Sequence, residues 1–498
     1  MYKKLKHLCL LEGEKVDIFI NNSLTKKKEK FVPQDKDLIK FYSCGPTTYD
    51  FLHVGNARAL VVGDLIYRIL LAEGYKVNFV RNFTDVDDKI IERAAKEGVD
   101  PLVHSQRFIE ECQKDMKSLN LLTPTHSPKV SDTMNEIIEM IEVLVAKGYA
   151  YVAEGEVLFN VPSFKDYGKL SRKKLEDLQH GIRVDVDAKK KHPSDFVLWK
   201  PAKPGEPAWK SPWGPGRPGW HIECSAMAKK FLGDHIDLHH GGIDLMFPHH
   251  ENEIAQSECA NGCTFSNNWC HNEFLNFGAE KMSKSLGNVI TIRAFVESYG
   301  GEVLRHLLSS VHYRSKMEWS DGVIERALSD IERIHLFLLE FSKLKTSNKE
   351  TPANIEEVKK IRKNILNELA NDFNVPGALA ELFNLIRLIN REYIASSSEG
   401  IGQKLKESTM ELLSLMAAST GLIYENPQEI LDKVGQARKK ISGSDNLTEE
   451  KISSLVAERK EARISRDFKR SDEIRNILQD SGVEIKDNPD GTTTWSYK

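Results

Sequence analysis

The stretch "FYSCG", Phe41 to Gly45, is an apolar run that stops at a cysteine and a Gly-Pro turn, the pattern of a buried strand. From Asn56 the period changes. Leu60, Val61, Leu65, Ile69 and Leu70 recur at helical spacing, and Gly74 closes the helix. "YKVNFVRN", Tyr75 to Asn82, then alternates like a strand. Strand, helix and strand in that order make a β-α-β unit, the seed of a parallel doubly wound sheet. Ligands of such sheets bind at the C-terminal ends of the strands. Cys44 stands at one of those ends, which argues against a purely structural thiol.

From about Glu97 to Lys200 the pattern turns to amphipathic helices such as "MNEIIEMIEVLVAKG" and a short strand-rich piece around "YAYVAEGEVLFNV". This reads as an insertion. Lys200 to Trp220 holds six prolines and four glycines in 21 residues and is expected to be irregular, either a binding loop carrying Trp220 or a connector. The α/β alternation then resumes. "HIECSAMAKKFLG" and "PHHENEIAQSECA" read as helices, the second opened by Pro248; "HIDLHHGG" and "HNEFLNF" read as strands. Beyond Thr291 almost everything is helical, with "KLKTSNKETPANIEE" as a polar linker. After a second polar stretch near "SGSDNLTEE", one or two helices and a strand-like "GVEIKD" end the chain. The predicted fold is therefore α/β: a doubly wound Rossmann-type parallel sheet with an inserted subdomain, an all-α bundle and a small C-terminal domain. The expected units are 16–120 and 216–340 for the two halves of the catalytic domain, 121–215 for the insertion, 341–440 for the bundle and 445–498 for the last domain.

Composition narrows the class without naming it. Hydrophobic residues make up 40% and charged residues 29% of 498, as in soluble globular proteins. No apolar run approaches the ~20 residues of a membrane helix, and "MYKKLKHLCLLEGEK" lacks the apolar length and cleavage pattern of a signal peptide. The seven cysteines are odd in number and scattered, which favours thiols in a reducing, cytoplasmic setting over a disulfide framework. A net charge of −3 means that any nucleic-acid contact must be local.

The candidate chemistry lies at the strand ends. His249 and Glu253, at i and i+4, share a helix face and can seat two ligands of one ion. Cys259, Cys263, Cys270 and His271 form a loose second set, but neighbours in a strand point to opposite faces, so Cys270 and His271 can hardly share a metal. Cys44, Cys224, His249 and Glu253, gathered from separate elements, offer the sulfur, nitrogen and oxygen donors that suit Zn²⁺. "HVGN", His53 to Asn56, falls where strand gives way to helix, a site that favours phosphate. Gly55 lets a flat ring approach the backbone there. In "EKMSKSLGN", Lys281 and Lys284 put two ammonium groups on flexible stems, suited to a polyphosphate.

Taken together, these motifs are similar to those of class I aminoacyl-tRNA synthetases: "HVGN" resembles the HIGH signature and "KMSKS" matches its namesake. "CGPTTYD", "RNFTDVDDKI", "GWHIECSAM", "GGIDLMFPHHENEIAQS", "DFNVP" and "GTTTW" resemble, in order and over essentially the whole chain, the cysteinyl-tRNA synthetase family. Two positions depart from the pattern: Asn56 replaces the last histidine of HIGH, and His240 stands where a glycine is expected.

The resemblance implies a cysteine–tRNA ligase that activates L-cysteine with ATP and Mg²⁺ and loads it on tRNA(Cys). It implies one zinc, held by Cys44, Cys224, His249 and Glu253, that binds the substrate sulfur. Gly45, Thr84, Trp220, His239 and Asp244 match the cysteine pocket; His53, Gly55, Asn56, Lys281 and Lys284 match residues that act on ATP. From Lys451 to Arg470 seven Lys/Arg face three acids. The resemblance turns this basic stretch into an RNA surface and marks Arg463, Asp472, Arg475, Asp487 and Trp495 for the anticodon. A monomer is expected. The rival expectations are a shorter relative that joins cysteine to an amino-sugar, and a non-catalytic RNA-binding paralogue. The extra ~150 C-terminal residues argue against the first on domain size, and the presence of His53, Lys281, Lys284 and every zinc position argues against the second.

Overall fold

The computed structural model describes residues 16–174, 189–277, 290–395, 400–441, 449–465, 467–480, 483–487 and 493–497. A hairpin not foreseen in the sequence, β1 (Phe19–Asn22) with β2 (Lys27–Lys30), precedes the first β-α-β unit. That unit is β3 (Leu38–Ser43), α1 (Val54–Ala72) and β4 (Lys76–Arg81). After α2 (Asp88–Glu97), α3 (Pro101–Ser118) and α4 (Met134–Ala146), the chain forms an antiparallel sheet of β5 (Ala150–Ala153), β6 (Glu156–Phe159), β7 (Phe196–Pro201) and β8 (Gly216–Pro218). It then returns through α5 (Trp220–Leu232), β9 (Ile236–Gly242), α6 (Glu251–Asn261) and β10 (Ser266–Asn272).

The central sheet is parallel throughout, in the order β10-β9-β3-β4. The chain leaves β3 toward β4 on one side and later returns on the other, so the order reverses between β3 and β9. This reversal is the switch point at which doubly wound sheets open a cleft. The Cys44 amide donates to the His240 carbonyl across it at 3.1 Å. Both faces of the sheet are covered, as strand alternation requires. Ile39, Phe41, Val77 and Phe79 point to the core shared with α1 and the helical bundle; Tyr42 and Val80 point to the core shared with α4, α5 and α6.

Beyond the sheet, a short β11 (Leu275–Asn276) pairs in parallel with β12 (Met317–Glu318), which follows α7 (Ile292–Tyr299) and α8 (Gly301–Ser309). The bundle comprises α9 (Asp321–Lys343), α10 (Pro352–Ala370), α11 (Val375–Ile389), α12 (Gln403–Thr420) and α13 (Pro427–Ile441). The chain ends on α14 (Glu449–Ile464), α15 (Phe468–Asp480) and the hairpin β13 (Val483–Asp487) with β14 (Thr493–Tyr497). None of the helices of the described residues is long and apolar enough to cross a membrane.

Four local expectations need correction. Lys200 to Trp220 is not irregular throughout: Gly216–Pro218 is an edge strand on β7, the one sheet position that tolerates proline, and Trp220 already begins α5. "HNEFLNF" is not one strand: His271–Asn272 ends β10, which begins earlier at Ser266, and Leu275–Asn276 forms a separate short strand; the polar residues of "SNNWCHN" hid β10 because they hydrogen-bond within the core. Pro248 does not open α6. It sits in a separate wide turn, Met246–His250, and the α-helix starts at Glu251. "PANIEE" is already α10 rather than linker. At His240 the strand is regular, paired with Ser43 and Cys270.

The parallel sheet and the bundle are tied by a buried charge cluster. On α1, Asp64 receives Arg68 Nε at 2.7 Å, the Leu122 amide at 2.7 Å and a guanidinium nitrogen of Arg305 from α8. Arg305 also reaches the Thr420 and Leu119 carbonyls at 2.6 and 2.9 Å. Burial pushes the Asp64 carboxyl up, and Arg305 and Arg68 more than reverse it, leaving it below the ordinary value. Because the folded pKa is depressed, this contribution to stability holds above the usual carboxylate range, near pH ~4, and is lost as pH falls through the lower folded value. Removing one partner of a buried pair strands the other, so Asp64→Ala is expected to destabilise the fold by about 3–5 kcal/mol at neutral pH. Urea denaturation of the two proteins measures this, and a midpoint unchanged at constant slope refutes it.

Candidate active site

The cleft at the switch point holds a cavity of about 520 Å³. Its first wall is the start of α1. His53 caps the helix in extended conformation. Its Nδ1 accepts from the Asn56 amide at 3.3 Å, while Asn56 Oδ1 accepts from the His53 amide at 3.1 Å. The pair is a reciprocal capping box, here with histidine and asparagine. An accepting Nδ1 leaves the proton of neutral His53 on Nε2, a donor. Gly55 is required because a Cβ there would lie 2.9 Å from His53 Nδ1. "HVGN" thus does two jobs: it caps a helix, and His53, Gly55 and Asn56 line the cavity at a helix N-terminus, whose dipole favours anions.

The second wall comes from the strand ends. Gly45 follows Cys44, and its amide donates to Asn82 Oδ1 at 2.9 Å. A Cβ on Gly45 would lie 1.6 Å from the Asn82 carbonyl oxygen, so only glycine lets the ends of β3 and β4 approach. Thr84, Trp220, Asp244, Cys44, Cys224 and His249 also line the cavity. Trp220, 40% exposed, stacks on the His249 ring with centroids 4.3 Å apart. His239 does not line it. It is fully buried beneath, stacked on Trp269 at 4.3 Å and joined to Glu253. Lys281 and Lys284 lie outside the described residues.

At the base of the cavity four elements converge. Cys44 follows β3, Cys224 lies on α5, His249 in the turn before α6, and Glu253 on α6. Their ligand atoms all lie within 4.8 Å of one another. His249 Nε2 and Glu253 Oε1 are 3.0 Å apart, and Cys44 Sγ is 3.6 Å from the same oxygen. Glu253 Oε2 is 2.9 Å from His239 Nε2. A second grouping, Cys44, His239, His250 and Glu253, is equally tight. The first fits an ion that must meet a ligand, because Cys44, Cys224 and His249 face the cavity whereas His239 and His250 do not. Two thiols, an imidazole and a carboxylate are a donor set suited to zinc.

The surroundings orient the ligands. His249 Nδ1 meets His221 Nδ1 at 2.9 Å, which turns Nε2 toward the cluster. The Cys224 thiol is drawn down to about 6 by its hydrogen bond with Cys44, against burial, while burial and Cys224 push Cys44 well up. Burial raises Glu253, but His239 and His249 overcome it and hold the carboxyl at about 2. Burial lowers His249, yet Glu253 and Cys224 raise it to about 10. His221, His250 and Asn82 were not singled out in the sequence. All three lie inside quoted motifs, His221 three residues before Cys224 and His250 next to His249, and that proximity was the available signal. The alternative set fails as expected: Cys270 contacts Tyr313 on one face of β10, His271 contacts His250 on the other, and Cys263 is exposed.

The C-terminal candidates divide. Asp487 is gripped by Arg459 at 2.9 and 3.0 Å and also bonded to Arg463. Those bonds hold β13 on α14. Trp495 packs against the small core of Ile452, Leu455, Ile474, Leu478 and Val483. Asp472 and Arg475 are exposed on α15. Arg466 lies outside the described residues.

A parallel sheet with its cleft at the switch point and an anion-favouring helix start beside it is the arrangement of nucleotide-binding doubly wound folds, and the family match narrows it to the class I tRNA synthetase catalytic domain. Residues 30–329 match the family of tRNA synthetases class I (C) catalytic domains, and residues 365–423 match the DALR domain. The solved methionyl-tRNA synthetase of Mycobacterium tuberculosis, in complex with methionyl-adenylate, superposes with a TM-score of 0.58 at 16% identity over 80% of this chain and 94% of that one. That likeness shows the fold. Cysteine–tRNA ligase of Geobacter sp. (strain M21) is 46% identical, covering 96% of this chain and 99% of the relative; that of Halalkalibacterium halodurans is 44% identical over 95% and 98%. The chain belongs to the cysteine–tRNA ligase family.

The close approach at Gly45 gives a direct test. Gly45→Ala forces β3 and β4 apart and is expected to cost about 1–3 kcal/mol, the usual range for overpacking. Chemical denaturation measures it, and wild-type stability refutes the contact.

Proposed function

We propose that the cavity activates L-cysteine with ATP and Mg²⁺ and transfers it to the 3′ end of tRNA(Cys), and that Cys44, Cys224, His249 and Glu253 hold one Zn²⁺ at its base. The observation that carries this reading is the convergence of two thiols, an imidazole and a carboxylate under a cavity whose other wall is a helix N-terminus. A bound zinc supplies a soft Lewis acid that favours a thiolate over an alcohol. The family match supports the substrates, and relatives named cysteine–tRNA ligase that are matched over nearly their whole length support tRNA rather than an amino-sugar as acceptor.

In this reading the chain's residues mainly position and neutralise. Gly45, Thr84, Trp220 and Asp244 surround the amino acid, and His239 acts from beneath by holding Glu253. The substrate carboxylate attacks the α-phosphorus of ATP; the bond to pyrophosphate breaks and cysteinyl-adenylate forms. His53 Nε2–H, the Asn56 side chain and the start of α1 meet the phosphates, and Lys281 and Lys284 neutralise the departing pyrophosphate. A ribose hydroxyl of the tRNA end then attacks the adenylate carbonyl, and AMP leaves. The 445–498 segment contacts the anticodon through Arg463, Asp472, Arg475, Asp487 and Trp495. The exposed Asp472 and Arg475 support direct contact, whereas Asp487 acts by fixing Arg459 and Arg463. A cytoplasmic monomer completes the proposal.

Three outcomes test this function. Metal analysis is expected to find one zinc per chain, and Cys224→Ser to lose metal and cysteine-dependent pyrophosphate exchange together while ATP binding persists. An ordinary pocket separates near-isosteres by only about 10²-fold, so preference for cysteine over serine far beyond that in a metal-free protein would sink the zinc reading. Lys284→Ala is expected to slow adenylate formation by roughly 10²–10³-fold, the scale of one preorganised contact, with the KM for cysteine unchanged; normal exchange removes that role. Truncation before Asp445 should preserve cysteine activation and weaken charging through tRNA affinity. Unchanged charging at low tRNA concentration would refute the anticodon assignment.

A further inference from the structure

The motif "DFNVP" carries a carboxylate that the reaction described so far does not use. Asp372 follows α10 in left-handed conformation at φ 58° and is only 2% exposed. Donors from two distant segments converge on it. The Asn21 amide and Nδ2 reach its two oxygens at 2.8 and 2.5 Å. Tyr313 Oη donates to Oδ1 at 2.7 Å, and Arg314 Nε to Oδ2 at 2.6 Å. The backbone joins in: the Asp372 amide donates to the Phe19 carbonyl at 2.7 Å, and His312 Nε2 bonds the Asp372 carbonyl at 3.1 Å.

What Asp372 holds leads to the cavity. The Glu273 amide donates to the Tyr313 carbonyl at 2.8 Å, and the Met317 amide to the Phe274 carbonyl at 3.2 Å. Arg58, on α1, braces the same loop from the other side through the Ser315 carbonyl at 2.6 Å. Glu273, Phe274, Leu275 and Phe277 line the cavity. A continuous chain of contacts therefore runs from the Asp372 carboxylate through Tyr313 to the cavity wall. Nothing in it touches the cluster of Cys44, Cys224, His249 and Glu253.

We propose that Asp372 is a positioning residue for adenylate formation: by holding Tyr313 and Arg314 it sets the wall at residues 273–277 and so links the helical bundle to the active site. The inference rests on the cavity being the site of adenylate formation, which wild-type pyrophosphate exchange tests separately. A purely structural role would lower stability alone. A positioning role lowers turnover in the protein that remains folded, because small misplacements of a reacting group cost up to about 10²-fold.

The experiment compares four full-length variants by pyrophosphate exchange well below their unfolding midpoints. Asp372→Ala is expected to reduce kcat by about 10–10²-fold with the KM for cysteine unchanged. Tyr313→Phe, which deletes one hydroxyl and keeps the ring, should lower kcat less, and the double variant should be no worse than Asp372→Ala alone, since both act through one contact. Asn374→Ala is the control from the same motif. It removes the cap of α11, where Asn374 Oδ1 accepts from the Gly377 amide at 3.3 Å, and should lower the unfolding midpoint while leaving kcat intact. If Asp372→Ala and Asn374→Ala differ only in stability, or if the Tyr313 and Asp372 effects multiply independently, the positioning role is overturned. An inactive wild type would instead refute the assignment of the cavity.

Discussion

The site is organised by a carboxylate that has no access to water. Glu253 is fully buried, and an unpaired buried carboxylate is too costly to keep ionised. It must therefore be surrounded by donors, and those donors come from separate parts of the chain. His239 rises from the middle of β9, His249 from the turn before α6, and Cys44 from the end of β3. Satisfying one charge fixes the relative placement of a strand, a helix and a turn at the point where the sheet order reverses. The same arrangement leaves sulfur and nitrogen atoms facing the cavity, so the requirement that stabilises the fold also prepares a metal site.

Much of this was legible in the sequence where the physics is local. The β3-α1-β4 unit follows from a change of apolar period, and the structure keeps it with its ends shifted by a few residues. The four proposed zinc ligands come together, although spacing alone could not join Cys44 to residues some two hundred positions away. What was not legible is where long-range pairing overrides local composition. β10 reads as polar because Ser266 and Asn268 are buried and hydrogen-bonded within the core and Asn272 turns to the cavity. β8 is rich in glycine and proline, yet pairs because it lies at a sheet edge. The β1–β2 hairpin has "KKEK" as its second strand, with no apolar residue to mark it; Ile18, Ile20 and Phe31 anchor the hairpin in the core, and Asp372 and the Trp269 backbone tie it down.

The basic C-terminal stretch shows the limit of reading charge alone. Of its arginines, Arg459 and Arg463 are engaged with Asp487, and Arg470 with Glu458 and Glu473. Much of the apparent excess of cations is spent inside the domain, holding the final hairpin on its helices. The RNA contact proposed for this segment therefore rests on the few side chains left exposed, such as Asp472 and Arg475, rather than on net charge.

The two ends of the cavity answer to different demands, and their construction differs accordingly. A thiol must be distinguished from a hydroxyl before any chemistry, and sulfur and oxygen differ too little in size for packing to do it. In the proposed reading the discriminating groups, Cys44, Cys224, His249 and Glu253, are held rigid, His249 braced by His221 and Glu253 by His239. The phosphates change charge and then depart, so their contacts must strengthen and release. A helix start capped by its own side chains supplies fixed dipoles, and ammonium groups on long stems supply charge without a fixed geometry. The wall at residues 273–277 lies between these regimes. It belongs to neither the ligand cluster nor the helix start, and its position is set from outside the sheet by Tyr313 and Asp372. A wall positioned in this way gives the bundle a mechanical hold on the cavity, while the ligand cluster stays locked to the sheet.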